Sequence, residues 1–531
     1  MVKEVKKSSM GLLQMIRTER QTNGGAATLE LLIAFTLAII LLVGATMVSF
    51  TGQSVALDSQ LSSHGLYRAS EHVASTSVAL GSSATVWSAL ESGQEDESID
   101  PDDNFYDRFR TITDISPCVK FVGSETDWTS EKSKSMGISF GTLVANIASA
   151  QALGGGCDPF PPGDWDNPDT FGSFDSNTYG SSAGIKGTGI DIATISGIQY
   201  AFISAQHANK DESDLWILDI SNPQNPLYIN DFDTSGGLSW SPNLEGLNDV
   251  KVVGVYAYLA RNYKTKQLQV VDVTNPSGAL STTTEVSFDI CCGVSQAGSD
   301  PQPEVFTYYD GYLYVGLKNT LGPELLVFDI TTTPSIPVLT GKIDINFNHN
   351  INDMRVQGGY AYLATGYDSG ELAIVDMSTL DLNDLTSTSI TYVDLPSNRD
   401  AQSVYILGSN LFLGRDSSNN ASQHDFYVFD ISTPVSPTLF DSENINNSNN
   451  TAILSIVVQG PLAFIASSKA TAEFQVWNVS NPSNIQPHGC VSYNYPANPT
   501  RLIYRNNYIF SVIESNDIFR VIHDANGNAC N

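Results

Sequence analysis

Between residues 187 and 523, short apolar runs alternate with polar turns at a steady spacing. One family of runs reads LWILD (215–219), LQVVD (268–272), LLVFD (325–329), LAIVD (372–376), FYVFD (426–430), FQVWN (474–478) and FRVIH (519–523). A second lies upstream of each: IQYAFISA (198–205), VYAYLAR (255–261), GYLYVGL (311–317), GYAYLAT (359–365), SNLFLGR (409–415), GPLAFIAS (460–467) and NNYIFSVI (506–513). A third precedes those, as in NDVKVVG (248–254) and NDMRVQG (352–358). Short β-branched and aromatic runs bounded by Gly, Asn, Ser and Pro are strands. Four strands recur about every 50 residues, and one such sheet cannot bury both faces without stacking on its neighbours. Seven copies arranged radially predict a seven-bladed β-propeller over 187–531.

Loop lengths orient this propeller. The first-to-second and third-to-fourth strand turns are short, with Gly254, Gly311, Gly358 and the SNP turns. The other two classes are long, as in QHANKDESD (206–214), DTSGGLSWSPNLEG (233–246) and DICCGVSQAGSDPQP (289–303). Antiparallel order puts both long classes on one face, which becomes the candidate binding surface. Trp240, Tyr263, His349, Tyr367, Arg399 and Arg415 are its candidate lining. The seventh repeat lacks a fourth strand, so a segment before residue 187 is expected to supply it. The stem then enters at the short-turn face. The repeated Asp219, Asp272, Asp329, Asp376 and Asp430 each end a strand before a Ser, Thr or Pro turn, where a carboxylate caps backbone N–H groups. Five equivalent copies are architecture and not a site. Asp249 and Asp353 hold matching places on innermost strands. They are the weak candidates for a channel cation, with strand-end capping as the simpler role.

The N-terminal pattern is different. No residue from Leu31 to Leu57 is charged, which exceeds the ~20 residues a helix needs to cross a bilayer. A basic stretch precedes it, so the N-terminus stays cytoplasmic and the long C-terminal part lies outside. Val55, Leu61, Leu66, Tyr67 and Val73 then fall near one helical stripe. Residues 91–104, ESGQEDESIDPDDN, read as a solvated acidic loop. The loop offers oxygen ligands for Ca²⁺ but lacks the Gly-plus-Glu pattern of an EF-hand loop, and no cofactor is expected. CVKFVG (118–123) reads as a strand, GTLVANIASAQALGGG (141–156) as a short helix, and the Pro/Gly/Asp-rich 161–186 as a linker or closing arm.

Charge narrows the partners. The chain of 531 residues carries a net −31. Its first 25 residues hold five basic and two acidic groups, or +3, leaving −34 on the rest. Such a body repels nucleic acid and anionic lipid heads.

The stretch NGGAATLELL (23–32) explains an otherwise costly group. Glu30 sits at the edge of the apolar run, and a carboxylate in a membrane needs a partner. The arrangement resembles the class III signal of type IV pilins and pseudopilins: a basic leader, a Gly before the cut, Glu at mature position five, then an apolar helix. The resemblance covers roughly 17–75. It implies cleavage between Gly25 and Ala26 by prepilin peptidase, after which the Ala26 α-amine of one subunit meets Glu30 of its neighbour during filament assembly. Two departures are that Ala26 replaces the usual first Phe and that the mid-helix Pro is absent. The phrase VVDVTNP (270–276) and its relatives resemble the LVIVD repeat of extracellular propellers.

These readings combine into a mainly β chain: a leader (1–25), a long pilin-type N-terminal helix (26–80), a small stem domain (81–160), an arm (161–186) and the seven-bladed propeller. Its implied partners are copies of itself, prepilin peptidase, the pilus assembly machinery, the inner membrane before assembly, and an unknown surface ligand. The mature form is expected on a cell-surface filament. A minor pseudopilin and a membrane-anchored propeller are the alternatives. An enzyme is not expected, because no paired His/Asp constellation stands out and His349 and His424 are isolated in polar loops. An extracellular body makes disulfides the default. Cys118–Cys157 would staple the stem and Cys490–Cys530 would pin the C-terminus; Cys291 and Cys292 are either a vicinal disulfide or reduced. Asn420, Asn446, Asn449 and Asn478 fit N-x-S/T sequons.

Overall fold

The structure is a computed structural model. It describes residues 63–77 in part, 93–97, 106–129, 135–146, 158, 162–179, 184–207, 212–234, 245–263, 265–288, 292, 302–318, 322–345, 349–379, 389–417, 420, 422–448, 451–489 and 492–525. The leader, Gly25, Ala26, Glu30 and the apolar run 31–57 lie outside the described residues. Among the described residues, no helix is long and apolar enough to cross a membrane.

The chain divides into two compact units, one of residues 1–74, 95–110 and 123–141, the other of 75–94, 111–122 and 142–531. In the first, helical residues between 63 and 74 bury Ala69 and Val73, while Tyr67 is 61% exposed and leaves the predicted apolar stripe. Gly65 backs onto Trp128, whose ring would lie 3.1 Å from an added Cβ. Strands Gly93–Glu97, Tyr106–Ser116, Val119–Thr129 and Ser135–Ala145 form one sheet in chain order. Two expectations change here. Part of the acidic stretch 91–104 is a strand, and the predicted helix at 141–156 begins as one. SMGISFGTLVA alternates in exposure with period two. That is the strand signature, hidden when the segment is read from Gly141 onward.

The described strands from 168 to 524 make seven four-stranded sheets. The inner strands are Lys186–Ile195, Glu245–Val253, Gln302–Tyr309, Ile351–Gln357, Ala401–Leu407, Ile453–Gln459 and Pro499–Arg505. Each touches the next, and the seventh returns to the first. The blades are numbered in that order. Blades 1 and 2 also share a short ladder, Glu245 opposite His207 and Gly246 opposite Gln206. Third strands such as Leu215–Asp219 and Leu325–Asp329 bury their first four residues and leave the terminal Asp half-exposed. That Asp caps the turn as expected: Asp219, Asp272, Asp329, Asp376 and Asp430 each accept the N–H two residues on, at 2.7–3.0 Å. The ring closes through Pro168–Phe174, which supplies the fourth strand of blade 7 by pairing antiparallel with Phe519–Asp524.

Every inner strand carries a β-bulge near its start, at 187/189, 247/249, 303/305, 351/353, 401/403, 453/455 and 499/501. The extra residue tilts its side chain out of the ladder, and four of the seven use it to bind the next blade. Thr188 donates to the Leu247 carbonyl (2.7 Å), Asn248 to Pro303 (2.7 Å), Asn352 to Ala401 (2.7 Å) and Thr500 back to Gly187 (3.1 Å). The Asn of each NDxxV motif is therefore inter-blade mortar.

Candidate functional site

The bulges set a common register along the central channel. The residue after each bulge forms one ring: Gly189, Asp249, Val305, Asp353, Ser403, Ser455 and Arg501. Two residues further along lies a second ring, Asp191, Lys251, Thr307, Arg355, Tyr405, Val457 and Ile503. These strands enclose a cavity of about 250 Å³, lined by Asp191, Asp249, Lys251, Asp353, Arg355, Arg501 and Arg505 among apolar residues such as Ile190, Val305 and Val457.

Asp249 and Asp353 face this cavity as their matching positions implied, yet their oxygens are already engaged. Asp249 accepts Val250 N–H (2.9 Å) and, from blade 3, Phe306 N–H (2.8 Å). Burial pushes its carboxyl up to about 6, against the opposing pull of Arg501 and those two N–H groups. Asp353 accepts Val404 N–H of blade 5 (3.0 Å) and pairs with Arg355 (3.2 Å) and Arg501 (3.4 Å). Burial works against the Arg501 charge, and Asp353, Asp249 and Glu304 more than offset it. In the second ring, Asp191 accepts Ile192 and Val252 N–H and pairs with Lys251 at 3.1 Å. Among the described residues, no group of three or more His, Cys, Asp or Glu is placed to hold a metal ion.

The sequence reading missed the four channel cations Lys251, Arg355, Arg501 and Arg505. Their signal is available: each interrupts an otherwise apolar inner strand, in VKVV, MRVQ and RLIYR.

The long-loop face holds a second recurrent device that the sequence reading also missed. The residue just before each third strand is Asp214, Gln267, Glu324, Glu371, Asp425 or Glu473 in blades 1 to 6, and all six are buried. Each side-chain oxygen accepts a backbone N–H from the loop after its outer strand: Thr234 (2.9 Å), Phe288 (3.0 Å), Ile345 (2.8 Å), Leu395 (2.9 Å), Ile445 (2.7 Å) and Tyr495 (3.0 Å). These six side chains, five acids and one amide, tie the long loops down. Burial raises the carboxyls of Asp425 and Glu473 and pushes Glu371 up to about 7, with Arg415 opposing it at Glu371.

The proposed lining of that face is only partly brought together. His349 and Tyr367 are half-buried with ring centroids 5.3 Å apart, and Tyr392 lies 6.2 Å from Tyr367. Tyr263 lies against Arg261, 4.4 Å from guanidinium carbon to ring centroid, in another blade. Arg399 is half-buried beside Asp416. Trp240 lies outside the described residues. Arg415 does not line the surface. It is fully buried, donating to the carbonyls of His424 (2.8 Å) and Pro396 (2.6 Å) and lying over Tyr427. An arginine can be buried this way because its fixed fork matches several carbonyls at once.

Of the sequons, Asn446 is fully buried, which leaves no room for a glycan on its side-chain amide. Asn478 caps a turn through Ser480 N–H (3.0 Å), Asn420 is exposed, and Asn449 lies outside the described residues. Cys118 and Cys292 are both disulfide-bonded. Cys157, Cys291, Cys490 and Cys530 lie outside the described residues, so the expected pairings are not described.

The LVIVD repeat model matches residues 194–234, 247–280 and 350–380, which fall in blades 1, 2 and 4. No curated protein matches the chain. Among solved structures it is similar to BamB from Moraxella catarrhalis, at 13% identity and TM-score 0.37 over 64% of this chain and 84% of that one. It is similar also to YCF48 bound to D1 peptide, at 9% identity and TM-score 0.43 over 70% and 99%. A third is the WD40 domain of SCAP from fission yeast, at 12% identity and TM-score 0.33 over 66% and 82%. Strand order, ring closure and the three repeat matches together make this chain a repeat β-propeller that carries LVIVD repeats.

Proposed function

We propose that the chain is a surface-displayed binding propeller, carried on a pilin-type N-terminal segment and assembled into a filament. The observation that carries the reading is the juxtaposition in one chain of GGAATLE, an uncharged run from 31 to 57, and a β-propeller. A propeller offers a rigid ring whose long loops share one face, and rigid scaffolds bearing loops are suited to binding. The repeated carboxylates that would tempt a hydrolytic reading accept backbone N–H bonds. That engagement favours recognition over chemistry.

Filament assembly rests on the Ala26 amine meeting Glu30. The test is peptide mass spectrometry on sheared surface filaments, from cells with and without prepilin peptidase. The expected result is an abundant peptide beginning at Ala26, lost without the peptidase. Glu30→Ala should lower the chain in the sheared fraction by about tenfold or more, the factor for losing ~1.4 kcal/mol of a charge pair in the membrane. Its level in the cell membrane should hold. An intact leader retained in the membrane fraction would sink the filament reading and leave a membrane-anchored propeller.

A further inference from the structure

The charge of the channel runs against the charge of the chain. Acidic residues outnumber basic ones by 57 to 26 overall. Along the cavity wall the order reverses, with Lys251, Arg355, Arg501 and Arg505 against Asp191, Asp249 and Asp353. The three acids are spoken for. Asp191 and Asp249 each accept two backbone N–H groups, and Asp353 accepts one and pairs with both Arg355 and Arg501.

Arg505 is the surplus cation. Among the described residues, its guanidinium makes one hydrogen bond, to the Ile192 carbonyl at 3.4 Å, and no ion pair. A guanidinium offers five donors in a planar fork that fits a carboxylate or phosphate edge. Burial works against its charge, with Asp158 and Asp191 offsetting this only in part. Such a group gains when an anion arrives. Lys251 and Arg505 flank the inner strand of blade 1, one bound to Asp191 and the other to Ile192. Across the cavity, Tyr405 lies 5.6 Å from the Arg355 guanidinium, and its hydroxyl makes no hydrogen bond among the described residues.

We propose that the channel cavity is a binding site for a small organic anion, a carboxylate or a phosphate, gripped by Arg505 and supported by Lys251 and Tyr405. At about 250 Å³ the cavity lies just below the ~300–1,000 Å³ of drug-sized ligand sites, so it suits a small metabolite and excludes a peptide. The proposal deepens the binding reading and rests on it, and it is independent of filament assembly.

The test is calorimetric titration of the full chain in detergent micelles, with sodium phosphate and, separately, sodium glucuronate, both in chloride buffer. Saturable binding of at least one probe is expected; the responding probe identifies phosphate or carboxylate as the preferred group. Arg505→Gln should weaken it about tenfold or more, the loss typical of a charge-assisted hydrogen bond. Arg505→Lys should keep part of the affinity, and Lys266→Gln, remote from the cavity wall, all of it. Tyr405→Phe, a smaller change, should weaken binding and covers the case in which Arg505→Gln fails to fold. No saturable binding of either probe up to about 10 mM, or wild-type affinity in both Arg505→Gln and Tyr405→Phe, overturns the site. A silent titration leaves the Ala26 peptide result untouched, so the two failures are separable.

Discussion

Trp165→Ala is expected to destabilise the propeller by about 3–5 kcal/mol, the range for removing a buried aromatic side chain. Trp165 is fully buried although it precedes the closing strand. Its ring meets Phe464 edge-on with centroids 4.8 Å apart and reaches Phe474 at 6.3 Å. Its indole N–H donates to Asn507 Oδ1 at 2.7 Å, and the Gly163 N–H reaches the same oxygen at 2.8 Å. Its backbone is left-handed, with φ of 54°, a conformation costly for a bulky residue and kept only where packing over-determines it. Truncation removes the packing that joins the arm to blades 6 and 7. The measurement is the urea midpoint of the purified chain. Asn507→Ala should cost about 1–2 kcal/mol, and the double variant should cost less than the sum, because the two side chains share one bond. A Trp165→Ala midpoint equal to wild type would mean that the arm contributes nothing to ring stability.

The second large effect is a loss of stability as pH rises. Burial lifts Asp249 to about 6 and Glu371 to about 7. Asp416 is lifted to about 6 by burial and by the neighbouring Asp400 charge. In the unfolded chain these groups ionise near pH 4. Between that value and 6 to 7, the folded state therefore holds more protons than the unfolded one. Stability from this source is complete below about pH 4 and is lost as pH climbs through 6 to 7, by roughly 2–3 kcal/mol for each of the buried Asp249 and Glu371. Asp272 and Asp329, held low by Thr274 and Thr331, act in the opposite sense, in acid below about pH 4. The urea midpoint should fall between about pH 5 and pH 8. Glu371→Gln should flatten that fall and be tolerated at the higher pH. The chain already contains this substitution in effect, because Gln267 fills the equivalent place in blade 2 and accepts Phe288 N–H. A midpoint that rises over this range, or a Glu371→Gln chain that loses several kcal/mol at the higher pH, would refute the assignment.

The blade repeat was legible because a four-stranded unit writes the same apolar pattern each time, and the missing fourth strand of the last repeat pointed upstream to residues before 187. The capping Asp at the end of each third strand was legible for the same reason. The acid at the start of that strand was equally periodic and went unread, because a carboxylate beside a polar loop looks solvated. Only the fold shows that a backbone N–H some twenty residues later needs it. Arg415 misled in the same way: before a loop it reads as surface, and its carbonyl partners, His424 and Pro396, come from segments that no spacing rule connects. The strand at 135–145 is obscured in the sequence because its alternation begins before Gly141, while the Ala-rich, glycine-ended stretch that follows carries a helix-like composition.

The closing strand also sets how the ring would bear load. Pro168 lies opposite Asp524 and Phe174 opposite Phe519, so the upstream chain leaves blade 7 at the short-turn end. A pull delivered from that side acts along the strand. Antiparallel hydrogen bonds run perpendicular to their strands, so such a pull loads the whole ladder in parallel instead of opening it one bond at a time. Before the ladder feels tension, the force must break the grip of Asn507 on Gly163 and Trp165. The seam where the circle is joined is thus built as a shear clamp, the geometry that lets a tethered body stay folded while its tether is pulled.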